Sequence, residues 1–321
     1  MQANMVTAIN NALDLGMQEN EKVVLLGEDI AKDGGVFRVT DGLLAKYGEG
    51  RVIDTPLAEA GIVGAAVGMA TQGLHPVPEV QFAGFMYLAF DQLVNHAARY
   101  RSRTRSEYTV PMVVRTPVSG GVRTLEHHSD SPEAYYSHTG GLIVVEPSTP
   151  YDAKGLMIKA LRMNDPVVFL EPTKLYRLFK QDIPEDTYEV PIGKANLVKE
   201  GTELSVITYG TMVPVVKEVV EKRKLNADIL DLRTINPLDE SAILASAKKT
   251  GRVVIVHEAQ LSFGAGAEVA ARIAEKAIFE LDAPVVRVGS CSFPYPFPGY
   301  ENNYIPNALK ISQAIDKVLK A

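Results

Sequence analysis

Short unbroken runs of apolar residues alternate with longer amphipathic stretches along most of this chain. Lys22–Leu26 (KVVLL) has the length of a strand, and Gly34-Gly35 marks the loop that follows it. Leu57–Gln72 carries no charge after Glu59 and predicts a buried helix, with Pro56 suited to its first position. Val77–Val80 predicts the start of the next strand, and Gly84–Arg101 spaces its apolar residues as a single helix does. Met112–Arg115, Leu142–Val145 and Pro166–Leu170 predict further strands, with a helix at Ala153–Met163 between the last two. Strand and helix in alternation build a mainly parallel sheet covered on both faces, an α/β fold.

From about Glu171 to Glu200 the pattern breaks. Pro172, Pro184 and Pro191 stand among scattered charges, and the stretch reads as a linker. A second series follows, with strands at Leu204–Ile207, Asp228–Leu230, Arg252–Val256 and Pro284–Val288. Helices at Val213–Arg223, Asp239–Ala247 and Gly266–Phe279 separate them, and a Pro- and aromatic-rich loop, Phe293–Tyr300, precedes a last helix near Ile305–Leu319. A chain of 321 residues is long for one core, so two domains are expected, at residues 1–185 and 186–321. No internal repeat or low-complexity tract interrupts either series.

Composition narrows the function classes. A net charge of −6 argues against a nucleic-acid binder, for which a basic domain is expected. A single cysteine, Cys291, excludes an internal disulfide framework and fits a reducing compartment. No apolar run reaches membrane-spanning length, and the N-terminus lacks a secretory pattern, so a cytoplasmic protein without a membrane partner is expected.

Five segments are candidates for chemistry. Glu59 opens an apolar helix, where desolvation favours the protonated carboxyl that an acid–base catalyst needs; the helix macrodipole alone would also favour a glutamate there. Gly61, Gly64 and Gly68 share one face of that helix and would admit a second backbone. Three of the six histidines, His127, His128 and His138, fall in one Gly- and polar-rich region. His127-His128-Ser129-Asp130 is a poor Ser–His–Asp triad, since adjacent residues cannot readily converge, and it lacks zinc-ligand spacing. A loop histidine that donates a proton or contacts an anion is chemically reasonable, as is a capping or surface one. Gln81-Phe82-Ala83-Gly84-Phe85 ends a strand with an amide beside two aromatics, which suits a planar heteroaromatic ring or simply the core. Gly264-Ala265-Gly266 lacks the third glycine of a dinucleotide fingerprint and is better explained by close helix–strand packing. The alternating arginines Arg99–Arg105 suggest a solvated helix end or a rim facing an acidic partner.

Together the segments resemble the β subunits of the thiamine-diphosphate-dependent 2-oxo acid dehydrogenases, over essentially the whole chain. The resemblance is carried by Gly27-Glu28-Asp29, Gly34-Gly35-Val36-Phe37-Arg38, Thr55-Pro56-Leu57-Ala58-Glu59-Ala60-Gly61-Ile62, Glu79-Val80-Gln81-Phe82 and His128-Ser129-Asp130-Ser131-Pro132-Glu133. It continues through Asp231-Leu232-Arg233-Thr234-Ile235-Asn236-Pro237-Leu238, Lys249-Thr250-Gly251-Arg252 and His257-Glu258-Ala259. It implies a pyrimidine-binding fold over residues 1–185 and a transketolase C-terminal-type α/β domain, serving assembly, over 186–321. It also implies thiamine diphosphate as cofactor. Glu59 matches the glutamate that hydrogen-bonds a ring nitrogen of the aminopyrimidine. Phe85 matches the aromatic stacked on that ring, Leu57 and Gln81 its other wall, and Glu28 an acidic residue close by. His128 matches the loop histidine that faces the reacting carbon and the incoming lipoyl group.

The Gly-Asp-Gly…Asn-Asn motif with which thiamine enzymes hold Mg²⁺ and diphosphate is missing, since Asn302-Asn303 has no Gly-Asp-Gly ahead of it. No metal ligand is therefore expected in this chain, and the resemblance assigns the diphosphate and Mg²⁺ to a separate α chain in an assembly of two α and two β chains. A lipoyl-bearing dihydrolipoyl acyltransferase is the other expected partner. Ser131-Pro132-Glu133-Ala134-Tyr135-Tyr136 looks closer to enzymes for branched-chain 2-oxo acids than to those for pyruvate, which makes 3-methyl-2-oxobutanoate the expected substrate and pyruvate the alternative. A stand-alone transketolase-like enzyme and a scaffold without chemistry are the readings from other classes. The missing diphosphate motif opposes the first, and the joint presence of Glu59 and His128 opposes the second.

Overall fold

A computed structural model describes the whole chain, Met1–Ala321. Its main sheet has seven strands in the order Thr234–Asn236, Ile143–Val145, Val167–Pro172, Val113–Val118, His75–Glu79, Val23–Gly27 and Val52–Asp54. All neighbours run parallel except the first pair. The strands Val23–Gly27, His75–Glu79, Val113–Val118 and Val167–Pro172 are buried at every position. Covering on both faces is why they read as continuous apolar runs and not as alternations. One face lies under the helices Met5–Glu19 and Pro150–Ala160, the other under Glu59–Thr71 and the Ala83–Arg103 stretch.

A second sheet of five strands has the order Val286–Ser290, Val253–Gln260, Leu204–Thr208, Ala227–Asp231 and Asn196–Lys199, parallel except for the last. Its core is continuous with that of the first sheet: Ile207, Leu230 and Ile255 pack in the same apolar cluster as Val63, Val114 and Leu170. No helix is long and apolar enough to cross a membrane.

Several local expectations need correction. The helix predicted from Leu57 begins at Glu59, behind an Ala58 N-cap, so Pro56 and Leu57 lie in the segment ahead of it. Of the three glycines on that helix, only Gly64 faces a close neighbour on another element, the Gln92 side chain; a Cβ on Gly68 would meet open space. The single helix predicted at Gly84–Arg101 is four short pieces: 3₁₀ at Ala83–Ala89, a π turn at Gln92–His96, 3₁₀ again at Ala97–Arg99 and α-helix at Tyr100–Arg103. Overwinding to three residues per turn brings Ala83, Met86 and Ala89 onto one buried face.

The stretch read as a linker is largely structured. Gln181–Asp182 pairs antiparallel with Gln2–Ala3, Val190 packs into the core against Gly155, and Asn196–Lys199 edges the second sheet. Gly264 and Gly266 are small because the buried His257 ring lies against both, in agreement with the packing explanation. Arg101 forms an ion pair with Asp165, and Arg103 donates to the Asn95 carbonyl, both as local ties.

Two groups of buried carboxyls are built into this frame. In the first sheet Arg115 donates from Nη1 to Glu79 at 2.6 Å and from Nε and Nη2 to Glu171 at 2.7 and 3.0 Å. Tyr176 donates its hydroxyl to Glu171 at 2.6 Å. Between the sheets, Tyr209 donates to Glu133 at 2.6 Å, Thr211 and the Gly120 N–H donate to Glu258 at 2.6 and 2.5 Å, and Ser148 donates to Asp231 at 2.5 Å. Glu146 lies in the same seam, against Gly210.

Candidate active site

The carboxyl ends of parallel strands are where an α/β sheet offers its crevices, and the predicted residues collect there. Glu28 follows the strand Val23–Gly27 and Glu59 is the first residue of its helix; each is only 5% exposed. They feel one another: burial pushes the Glu28 carboxyl above its usual range, and the charges of Glu59 and Asp29 push it further. Glu28 Oε1 is buried with no partner in the chain, an acceptor left for something else.

The loop beyond Glu28 is tied from several sides. Asp29 has φ of 57° and accepts from the Gln81 amide at 3.1 Å. Asp54 accepts from the Ala31 N–H at 2.7 Å, and Thr40 donates to the Ile30 carbonyl at 2.6 Å. Gly34, at φ of 69°, has no room for a Cβ because the Asp41 backbone occupies that position. Gln81 is thus oriented by an acidic neighbour to which the sequence reading gave no role. Leu57, ahead of the Glu59 helix, is 80% exposed.

His128 closes the 3₁₀ turn Glu126–His128. Its ring stands edge-to-face with Phe82 at 4.2 Å and with Phe85 at 5.3 Å between centroids, and His127 lies 4.3 Å away. Burial, and then the neighbouring His127, hold its proton less tightly than usual, with Glu126 acting the other way. Nδ1 is buried without a partner. Ser129 does not serve as a nucleophile for this histidine, because its hydroxyl is engaged by Thr124 at 2.8 Å and the Leu125 carbonyl at 3.2 Å. A cleft of about 880 Å³ opens beside the turn, lined by His127, Asp130 and Tyr135 on one side and by Glu258, Phe263 and Tyr295 on the other.

Chemically, the strand ends offer two neighbouring carboxyls with one orphan acceptor, an amide held in one orientation, two aromatic rings and a largely uncharged imidazole. That set suits a flat heteroaromatic base with ring nitrogens, so the residues present fit the aminopyrimidine half of thiamine diphosphate. Sequence reasoning missed Asp29, Phe82 as a partner of His128, and Gly84, over which the His127 backbone passes. A glycine between aromatics in an otherwise helical pattern was the available signal for that close approach.

Residues 1–178 match the family described as transketolase, pyrimidine binding domain, and residues 193–311 the one described as transketolase, C-terminal domain. A protein of Acholeplasma laidlawii named pyruvate dehydrogenase E1 component subunit beta is 49% identical over 320 residues, covering 99% of this chain and 98% of its own. The Staphylococcus aureus (strain Mu50) protein of the same name is 47% identical, with 99% of each chain covered. Among solved structures, a split-gene transketolase described as an inactive β4 tetramer superposes with a TM-score of 0.80 at 23% identity, over 100% of this chain and 99% of that one. At that identity the likeness speaks for the fold alone.

Proposed function

Because this chain belongs to the β subunits of the thiamine-diphosphate-dependent 2-oxo acid dehydrogenases, we propose that it supplies the pyrimidine half of the active site of a pyruvate dehydrogenase. The names of its relatives favour pyruvate and do not support the branched-chain preference suggested by Ser131–Tyr136. Within that segment Glu133 and Tyr136 are buried, and Glu133 is bonded to Tyr209; these two positions are accounted for by the interior and say little about substrate. The domain division at 185–186 is kept as part of this reading.

Thiamine diphosphate, when bound, supplies the nucleophilic carbon that makes decarboxylation of a 2-oxo acid possible. Glu59, buried at the helix start, offers its carboxyl to a ring nitrogen. Burial, and then the nearby charge of Glu59, make Glu28 hold its proton more firmly than usual. Phe85 and Leu57 give apolar walls, and Gln81, fixed by Asp29, gives orientation. His128 is poised as a neutral imidazole near neutral pH, able to give or take a proton at the reacting end. The diphosphate and Mg²⁺ fall to the α chain in an assembly of two α and two β chains.

The observation that supports this best is the pairing of Glu28 and Glu59 at the sheet end with an orphan oxygen between the chain and whatever fills the site. Glu59→Gln in the reconstituted α–β enzyme is expected to lower turnover about 10²–10⁴-fold with assembly intact. Near-normal turnover would remove Glu59 from this role. Rates with pyruvate and with 3-methyl-2-oxobutanoate decide the substrate.

The acyltransferase is proposed to dock on the C-terminal domain. There Phe279 is 98% exposed beside Ile278, and the neighbouring acids Glu280 and Asp282 are paired with Lys248 and Arg252, pairs that a basic partner would compete for. Basic binding domains are expected in this family, and complementary charge would speed association. A pull-down with that domain in rising salt tests the docking; absence of binding at low salt refutes it.

A further inference from the structure

His128 has no hydrogen bond of its own to hold its ring. The structure nonetheless defines where it sits, and the reason lies in the neighbouring Phe82–Phe85 turn. A Cβ on Gly84 would overlap the His127 carbonyl oxygen and stand only 3.0 and 3.1 Å from its C and Cα atoms. These are backbone atoms, which cannot move aside as a flexible side chain can. The Glu126–His128 turn therefore rests directly on the backbone that opens the Ala83–Ala89 segment. Phe82 and Phe85 flank this point and present their rings to the imidazole.

The turn has little freedom to lift away. On its far side the Ser119 N–H donates to the Asp130 carbonyl at 2.8 Å, and Thr124 and Ser129 share a bond at 2.8 Å. Phe82 is braced from behind as well. It meets Phe37 edge-on at 5.6 Å, Phe37 meets Tyr176 at 5.0 Å, and Tyr176 bonds to Glu171 within the buried Arg115 cluster.

We infer that Gly84 and Phe82 are positioning residues for His128, the glycine setting the depth of its turn and the phenylalanine fixing and shielding its ring. Ala83–Ala89 brings no charged side chain to the imidazole, Tyr87 being the one titratable group on that segment. The charged or titratable neighbours are His127 and Glu126 of its own turn. Loss of the Phe82 ring would admit water, favour the imidazolium and move the proton affinity of His128 back towards its ordinary value.

This inference rests on the proposed role of His128 at the reacting end. The test uses the reconstituted α–β enzyme and compares lipoyl acylation with decarboxylation read through an artificial electron acceptor. Gly84→Ala is expected to slow lipoyl acylation by about 10²-fold, the usual consequence of a misplacement near 1 Å, with a smaller loss in decarboxylation. Phe82→Leu is expected to slow acylation and to move the acidic limb of its pH profile to higher pH; Phe82→Tyr, which keeps the ring, restores both. His128→Ala serves as the reference. If His128→Ala slows acylation while Gly84→Ala and Phe82→Leu leave the rate, the split between partial reactions and the pH limb unchanged, the positioning role is wrong and the role of His128 stands. If His128→Ala itself changes nothing, both fall. Should Gly84→Ala fail to assemble, the Phe82 pair decides alone: a parallel fall in both partial rates without a shifted limb overturns the inference.

Discussion

Glu79 and Glu171 lie deep in the first sheet with a guanidinium between them, whereas Glu133, Glu146, Glu258 and Asp231 meet at the seam between the sheets under hydroxyl and N–H donors. Two cations approach the seam: Arg233, engaged by Asp152 at 2.8 Å, and Lys174, whose charge acts on Glu258. In the first cluster burial opposes the charge on Arg115, but Glu171 and Glu79 hold its proton more firmly than usual, while burial pushes Glu79 up against the pull of Arg115. At the seam, burial with mutual repulsion raises the Glu146 carboxyl well above its normal range, and burial brings Glu133 and Asp231 to about 7. One cluster holds two carboxyls around a fixed cation, and in the other three carboxyls are raised by burial with no guanidinium bonded to them, so the second responds to pH more strongly.

The largest break in this contrast is Arg115→Met, which leaves two buried carboxylates without their partner. A loss of about 3–5 kcal/mol in chemical unfolding is expected; a loss below about 1 kcal/mol would mean that Glu79 and Glu171 take up protons as easily as the seam does. The second effect is a pH slope. Carboxyls whose folded values are raised contribute stability that is complete below their unfolded values near 4 and is lost as pH rises through the folded ones. His75 and His257, held neutral down to about 4 by burial, act oppositely, and their contribution is complete above about 6.5. Above about 6.5 the histidine contribution is constant, so a fall in stability between pH 6.5 and 8 reports raised carboxyls, those of the seam foremost. Stability should fall there by up to about 2 kcal/mol for each proton released, one proton being worth about 1.4 kcal/mol per pH unit; a flat or rising curve contradicts the assignment.

Glu146→Gln sharpens the same point. It should flatten that slope and make the protein more stable than its parent at pH 8, by about 1 kcal/mol. An unchanged slope would place the released proton on another group. Smallest is Tyr209→Phe, which removes the hydroxyl donated to Glu133 across the seam. A cost of about 0.5–1.5 kcal/mol is expected, measured as a double-mutant cycle with Glu133→Gln; additivity of the two substitutions would show that the bond does not couple the sheets.

Much of the frame was legible in sequence because the parallel strands are covered on both faces and announce themselves as apolar runs. The Ala83–Arg103 stretch was not, since overwound and underwound turns use the same residues as an α-helix and differ only in what they pack against. Two-residue ladders such as Gln2–Ala3 with Gln181–Asp182 leave no local pattern at all. At the site, Glu59 and the histidine cluster stood out as charge and polarity in unusual company. Glu28 became a candidate only through resemblance, and the signal at Gly84 was weak, because a lone glycine in a helical pattern usually reads as tolerated. Contacts between loops distant in sequence, such as Gly84 under His127, are written in no local periodicity.

The strand Thr234–Asn236 belongs by sequence to the C-terminal series yet pairs with Ile143–Val145 at the edge of the first sheet. A fragment ending near residue 185 would keep every other strand of that sheet and lose this one. Its margin would then show unpaired N–H and C=O groups beside Val144 and Val145, an invitation to foreign strands and to aggregation. The same gap exists during synthesis, after the first sheet has emerged from the ribosome and before Thr234 has. The C-terminal half is thus the cover that makes the N-terminal half safe to leave in solution.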